Sequence, residues 1–192
     1  MQKRNIITIC GMLGSGKSTA AKRVATALGY PHYSAGDFMR AMASERGLTI
    51  IELNLLAEND PAVDREIDAK QKAFMDTNNN FVIDSRIGWF FAQDSFKVFL
   101  NLDLDTASAR VFGDIQAKKS ERKEEMSETL EAVKTRLSER LASEKERYNK
   151  YYAIENYQDP SHFDLVIDTK TNDIPTVERM ILDAYTAWQA KV

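Results

Sequence analysis

Residues Gly11-Met12-Leu13-Gly14-Ser15-Gly16-Lys17-Ser18 have the types and spacing of a phosphate-cradling loop, G-x-x-x-x-G-K-[ST]. Glycines let the backbone wrap with its N–H groups pointing inward, and a helix starting at the end of the loop adds positive potential. Lys17 can reach the β- and γ-phosphates of a nucleoside triphosphate, and the Ser18 hydroxyl can ligate Mg²⁺. Gly11, Gly14, Ser15, Gly16, Lys17, Ser18 and Thr19 are therefore the candidate nucleotide-binding residues. The simpler alternative is an ordinary strand-to-helix turn with a solvated lysine. The apolar run Ile6–Cys10 just before the loop and the helix-like Thr19–Leu28 just after it argue against that alternative.

Phosphoryl transfer needs positioning, Mg²⁺ and positive charge on the moving group. It also needs an acceptor pocket and a cover. Ligands of open α/β sheets bind at the C-terminal ends of strands. Two segments fall there: Ser34-Ala35-Gly36-Asp37 with Arg40 one turn on, and Asp84-Ser85-Arg86. Asp84 closes an apolar run, so it can hold a magnesium-bound water. The plainer readings are a turn at Asp84-Ser85 and helix capping by Asp37, which is expected in either case. Arg136, Arg140 and Arg147 are spaced four and seven apart and share one helical face. A row of guanidiniums suits phosphate. Glu139, Glu144 and Glu146 lie close by and could simply pair with them. Lys118 to Glu125 is almost wholly charged and reads as a solvated helix face. The charged 110–150 stretch is the candidate lid, because mobile lids have few apolar anchors.

The elements that must hold these residues follow from the apolar pattern. Strand-like runs are Ile6–Cys10, His32–Ser34, Phe81–Asp84, Lys97–Leu102 and Phe163–Asp168, with helical segments between them. The alternation predicts a parallel sheet covered on both faces. Continuous apolar runs such as Phe81-Val82-Ile83 fit strands buried on both sides. Two stretches exceed a simple crossover. Residues 35–80 read as wholly helical, with breaks at Gly47 and Asp60-Pro61, Thr49 and Asp60 as caps and Pro61 in a first turn. The second stretch runs from Arg110 to about Asp159.

The 192 residues suit one α/β domain with inserts, and 43% hydrophobic and 29% charged residues are ordinary for a globular protein. A net charge of −3 offers no global field for nucleic acid or membrane. One cysteine, Cys10, excludes an internal disulfide and a cysteine zinc site. No signal peptide precedes the first strand, and no apolar run nears the roughly 20 residues of a spanning helix. A cytoplasmic location and a monomer are the expectations. His32 and His162 have no partners at metal-ligand spacing and read as surface or strand-edge residues.

The chain resembles the nucleoside monophosphate kinases, most closely the compact archaeal-type cytidylate kinases, nearly end to end. The shared segments are the Gly-Ser-Gly-Lys loop, Ser34–Asp37 with Arg40, and Leu56-Ala57-Glu58-Asn59-Asp60-Pro61 through Asp64, Ile67, Asp68 and Gln71. They continue with Asp84, Arg86 and Trp89. The more specific part is Arg140-x-x-Ser143-Glu144-x-x-Arg147-Tyr148-x-x-Tyr151-Tyr152, followed by Phe163-Asp164-Leu165-Val166-Ile167-Asp168-Thr169. The resemblance implies a P-loop NTPase-like three-layer α/β/α fold with a five-stranded parallel sheet. The core would comprise 1–34, 81–110 and 160–192, the monophosphate-binding insert 35–80, and the lid with its long helix 111–159. It implies transfer of the γ-phosphoryl group of ATP, with Mg²⁺, to CMP and also dCMP. Arg40 and Arg86 would bind the acceptor phosphate. Ser34, Gly36, Asp37, Asp64 and Asp68 would shape the acceptor pocket. Arg110, Arg140 and Arg147 would neutralise the group in transfer beside Lys17.

The chain departs from that pattern in places. Ser85 stands where the family often has glycine, and Ala153 and Glu155 replace glycine and aspartate. Gly113 and Asp114 occupy the turn after Arg110 where another arginine is expected, with Arg122 as the candidate substitute. These departures keep two alternatives open: a kinase for another acceptor (AMP, UMP or a small hydroxyl substrate), and a regulatory nucleotide binder with little turnover. The Asn-Lys-x-Asp guanine motif of GTPase switches is absent from the sequence.

Overall fold

Five strands form one parallel sheet in the order β2-β3-β1-β4-β5: β1 (Ile6–Gly11), β2 (His32–Ser34), β3 (Phe81–Asp84), β4 (Phe96–Asn101) and β5 (Leu165–Asp168). The computed structural model describes residues 4–122 and 129–190, except the side chains of 54, 58, 59 and 118–122. Arg122 and all the other Lys118–Glu125 charges therefore lie outside the described side chains. The expected strands are all present, displaced by no more than two residues at their ends. Pairing sets the site: Ser34 and Ile9 both stand opposite Asp84, and Gly11 stands opposite Leu100. The register thus brings the phosphate loop, Ser34 and Asp84 together at the C-terminal ends of their strands.

Alternation along β1 divides the core. Ile7 and Ile9 face a cluster with Ala20, Ala21 and Val24 of α1 (Lys17–Leu28) and Val177, Ile181 and Tyr185 of α8 (Ile174–Ala190). Ile6 and Cys10 face the opposite side, toward Phe81, Ile83, Ile87 and Phe99. Each buried aliphatic side chain contributes about 1.5–3 kcal/mol by burial. The alanine-rich face of α1 lets the helix lie close to the strand that feeds the loop.

The 35–80 stretch is helical, as its pattern suggests. It forms α2 (Ala35–Glu45), α3 (Ile50–Asn59) and α4 (Pro61–Thr77). Gly47 at φ +65° turns the chain after α2. Thr49 and Glu52 form a capping box at α3. Asp60 ends α3 and caps α4 by accepting from the Ala62 N–H at 2.8 Å, with Pro61 in the first turn. A short helix α5 (Gly88–Phe91) follows β3, and α6 (Leu104–Arg122) and α7 (Leu130–Tyr152) make the long pair between β4 and β5. Among the described residues no helix is long and apolar enough to cross a membrane.

Replacing Asp60 with alanine removes the cap at the joint of α3 and α4. The expected loss is about 1 kcal/mol, read as a lower urea midpoint with an unchanged slope.

Candidate active site

The loop conformation is one that glycine alone accepts. Gly14 has φ +84°, and a Cβ there would lie 2.9 Å from the Ala107 carbonyl oxygen. Gly16, at φ +78°, caps α1 without any side chain, leaving the first N–H groups of the helix for a ligand. Ser15 Oγ is buried with no hydrogen-bond partner among the described residues, a donor suited to a phosphate oxygen. Burial and the neighbouring Arg86 charge pull the Lys17 ammonium down to about 8, against the attraction of Asp84.

Ser18 donates its hydroxyl to Asp84 Oδ2, and His32 Nε2 lies 3.0 Å from Asp84 Oδ1. Ser18 and Asp84 are hard oxygen donors beside the loop, and that fits Mg²⁺. This ion takes one or two protein oxygens and completes its shell with phosphates and water. His32 is on an edge strand as expected, but its ring turns inward to Asp84 rather than toward solvent.

A cleft of about 390 Å³ opens beside the loop, lined by Lys17, Ser18, Ser34, Gly36, Asp64, Asp68, Gln71, Asp84, Arg86, Arg140 and Arg147 among others. Its cationic wall is organised by Glu144, buried on α7. Glu144 accepts from Arg86 Nε at 2.8 Å, Arg140 Nε at 3.0 Å and the Tyr157 hydroxyl at 2.7 Å. Burial alone would push this carboxyl up. The Arg86 charge, with the three hydrogen bonds, outweighs it and holds the group at about 2. Arg147 pairs with Asp64, and its guanidinium lies 4.9 Å from the centre of the Tyr148 ring. Arg136 is not among the residues lining the cleft.

The insert supplies the other wall. Ser34, rather than Asp37, is the N-cap of α2, and the two residues form a reciprocal capping box. Asp68 accepts from the Tyr152 hydroxyl at 2.9 Å, and burial pushes its carboxyl up to about 6. The extra oxygen at Ser85 is accounted for: buried Ser85 Oγ donates to buried Gln71 Oε1 at 3.0 Å.

Three expected residues stand elsewhere. Arg40 is exposed and held by Asp37 Oδ1 at 2.5 Å, and neither it nor Asp37 lines the cleft. Arg110 is not gathered with Arg140 and Arg147. The Gly14 and Thr169 carbonyls, at 3.3 and 2.7 Å, hold it on the outer side of the loop. There it lines a separate cavity of about 550 Å³ with Gly14 to Thr19, Gly113, Asp114, Asn172 and Asp173. His32 and Gln71 carried no assigned role from sequence. Gln71 was signalled by one feature, a polar residue in the buried stripe Val63-Ile67-Gln71-Met75 of α4.

Glu144→Ala leaves the buried Arg86 guanidinium unpaired and is expected to cost roughly 3–5 kcal/mol in chemical denaturation. Because folding depresses the Glu144 pKa, its contribution is present above about 4.5, the ordinary glutamate value, and is lost as pH falls toward about 2. Glu144→Gln should accordingly show a shallower loss of stability over that window than the parent protein.

The cytidylate kinase-like family matches residues 6–171. The chain is 35% identical over 185 residues to the cytidylate kinase of Natronomonas pharaonis, covering 95% of this chain and 90% of that protein. It is 35% identical over 187 residues to the cytidylate kinase of Archaeoglobus fulgidus, covering 97% of each. Among solved structures, a shikimate kinase from Acinetobacter baumannii in complex with shikimate superposes with a TM-score of 0.62. Its identity is 14%, with 99% of this chain and 97% of that one covered. A gluconokinase from Sinorhizobium meliloti gives 0.59 at 12% identity, covering 98% and 95%. At such low identity the structural likeness speaks for the P-loop kinase fold alone. With the family match running from β1 past the end of β5, this chain belongs to the cytidylate kinase-like family.

Proposed function

We propose that this protein transfers the γ-phosphoryl group of ATP to CMP, and also to dCMP, giving ADP and CDP or dCDP. One observation carries the reading. The cleft beside the loop presents Lys17 and Ser18 to the same space as Arg86, Arg140, Arg147 and the polar wall of α4. Two phosphorylated ligands can therefore meet there. The cytidylate kinases at about a third identity over nearly the whole chain support the choice of acceptor.

In this reading the donor nucleotide enters from the cavity lined by Arg110 and Thr169 and lays its phosphates along the loop N–H groups and Lys17. Ser18, with Asp84 behind it, would hold Mg²⁺, which supplies charge neutralisation to phosphate oxygens when bound. The acceptor phosphate lies against Arg86, whose fork suits two oxygens at once. Asp64 and Asp68 face the sugar and base. No strong general base is required, because the attacking acceptor oxygen already belongs to an anion. Arg140 and Arg147, carried on α7, offset charge on the group in transfer. Closure of the α6–α7 pair over the cleft excludes water.

A coupled ADP-release assay with ATP, Mg²⁺ and each of CMP, dCMP, UMP, AMP and GMP should show turnover chiefly with CMP and dCMP. Turnover with another monophosphate would overturn the base assignment, and silence with all five would overturn the reading. Lys17→Ala should lose about a hundred- to a thousandfold in kcat/KM, on the scale of a removed charge-stabilising group.

The depressed Lys17 pKa gives a second expectation. Free protein loses this proton as pH rises through about 8, whereas bound polyphosphate favours the charged ammonium. Nucleotide binding near pH 8 should take up a fraction of a proton, and affinity should fall above it. Calorimetry in buffers of different ionisation enthalpy measures this, and Lys17→Arg, permanently charged, should abolish the uptake.

A further inference from the structure

His32 has no task in the transfer reaction. It sits on β2, two residues before Ser34, and its side chain is only 14% exposed. A carboxylate only accepts, so the contact at 3.0 Å is a hydrogen bond donated by His32 Nε2 to Asp84 Oδ1. The other oxygen, Oδ2, accepts the Ser18 hydroxyl. The Asp84 side chain is 3% exposed, and a buried carboxylate of this kind needs donors on both oxygens. These two donors fix its rotation about the Cβ–Cγ bond.

That rotation matters to Ser18. A serine hydroxyl has one proton and two lone pairs. The proton is committed to Asp84, so the lone pairs lie on the far side of the oxygen. Ser18 lines both the donor cavity and the cleft, and its lone pairs are thus offered to the space between them. An Asp84 free to rotate would release the proton and swing that acceptor direction away.

We propose that His32 is a positioning residue for a divalent cation: by holding Asp84 it aims the Ser18 oxygen at the cation that accompanies the nucleoside triphosphate. This rests on reading the loop as a magnesium–ATP site and is independent of which acceptor is phosphorylated. Partners of metal-ligating groups of this kind are worth 10–100-fold in metal affinity.

The test is the ATP dissociation constant of the full chain, measured by calorimetry in EDTA and again in Mg²⁺. The ratio of the two constants isolates the cation's contribution. His32→Gln keeps an amide N–H at the reach of Nε2, whereas His32→Asn stops one atom short. In His32→Asn the ratio should shift against the cation by about tenfold, with the EDTA constant unchanged, and His32→Gln should restore the parent ratio. An unchanged ratio in His32→Asn overturns the proposal, as does an equal weakening with and without Mg²⁺, which would mark a merely structural role. Should His32→Asn fail to fold, ring NMR of the parent protein decides. Adding Mg²⁺ to the ATP-bound protein must shift the His32 Nε2 resonance and spare His162, whose ring stacks on Trp89. A stationary His32 signal overturns the proposal. A parent protein that binds no ATP defeats the loop reading and this inference together. A parent that binds ATP with a cation contribution blind to His32 defeats this inference alone.

Discussion

The Glu144 carboxylate joins the two halves of the site, and the cationic wall depends on it. It ties the end of β3, through Arg86, to the long helix α7 and to Tyr157 in the segment beyond. Three donors converge on one buried acidic group, so its charge survives burial and in turn keeps two guanidiniums in place. Arg86 is held through Nε, the side of the guanidinium remote from the two-pronged end, whose geometry suits a phosphate. An apolar cluster replacing Glu144 and its arginines together could pack as well or better, because buried ion pairs contribute little net stability, whereas removing Glu144 alone strands Arg86. What an apolar cluster could not do is present an oriented guanidinium to the cleft. The site exchanges stability for direction.

The same logic runs through the other cations. Arg147 rests on Asp64, Arg40 on Asp37, and Arg110 on two backbone carbonyls. Lys17 differs, because only Asp84 attracts it strongly while burial and Arg86 work against its charge. A polyphosphate therefore gains most at Lys17, where the protein satisfies the charge least. Arg86, Arg140 and Arg147, already paired with carboxylates, need only exchange one anionic partner for another, at little cost in reorganisation. The parallel register concentrates these differences at the C-terminal ends of β1, β2 and β3.

Much of this was legible locally. The phosphate loop declares itself because glycine, lysine and serine each have a fixed task at a fixed offset. The insert breaks at Gly47 and Asp60-Pro61 because caps and prolines act over one turn. Pairs distant in sequence were not legible. His32 meets Asp84 across 52 residues and Arg86 meets Glu144 across 58, and no local pattern encodes either. One general signal was present: a polar residue inside a buried helical stripe. It marks Gln71 in α4 and Glu144 in the stripe Val133-Leu137-Glu144-Tyr148 of α7. Arg110 was assigned a role by resemblance alone, and the structure holds its guanidinium against the Gly14 and Thr169 carbonyls, away from Arg140 and Arg147.

The packing of α8 has a consequence for how the molecule comes into being. Ile7 and Ile9 of β1 share their core with Ile167, Val177, Ile181 and Tyr185. Ile174, the first residue of α8, stands directly against the loop, where a Cβ at Gly16 would meet it at 3.1 Å. A ribosome makes the loop early and its brace late. Strand β1 must wait for β3, β4 and finally α8 before its apolar surface is covered, so a nascent chain carries the loop sequence long before it carries the loop shape. The shape that would recognise a nucleotide thus waits on α8, and chains interrupted before it leave Ile7 and Ile9 without the Val177, Ile181 and Tyr185 side chains that cover them.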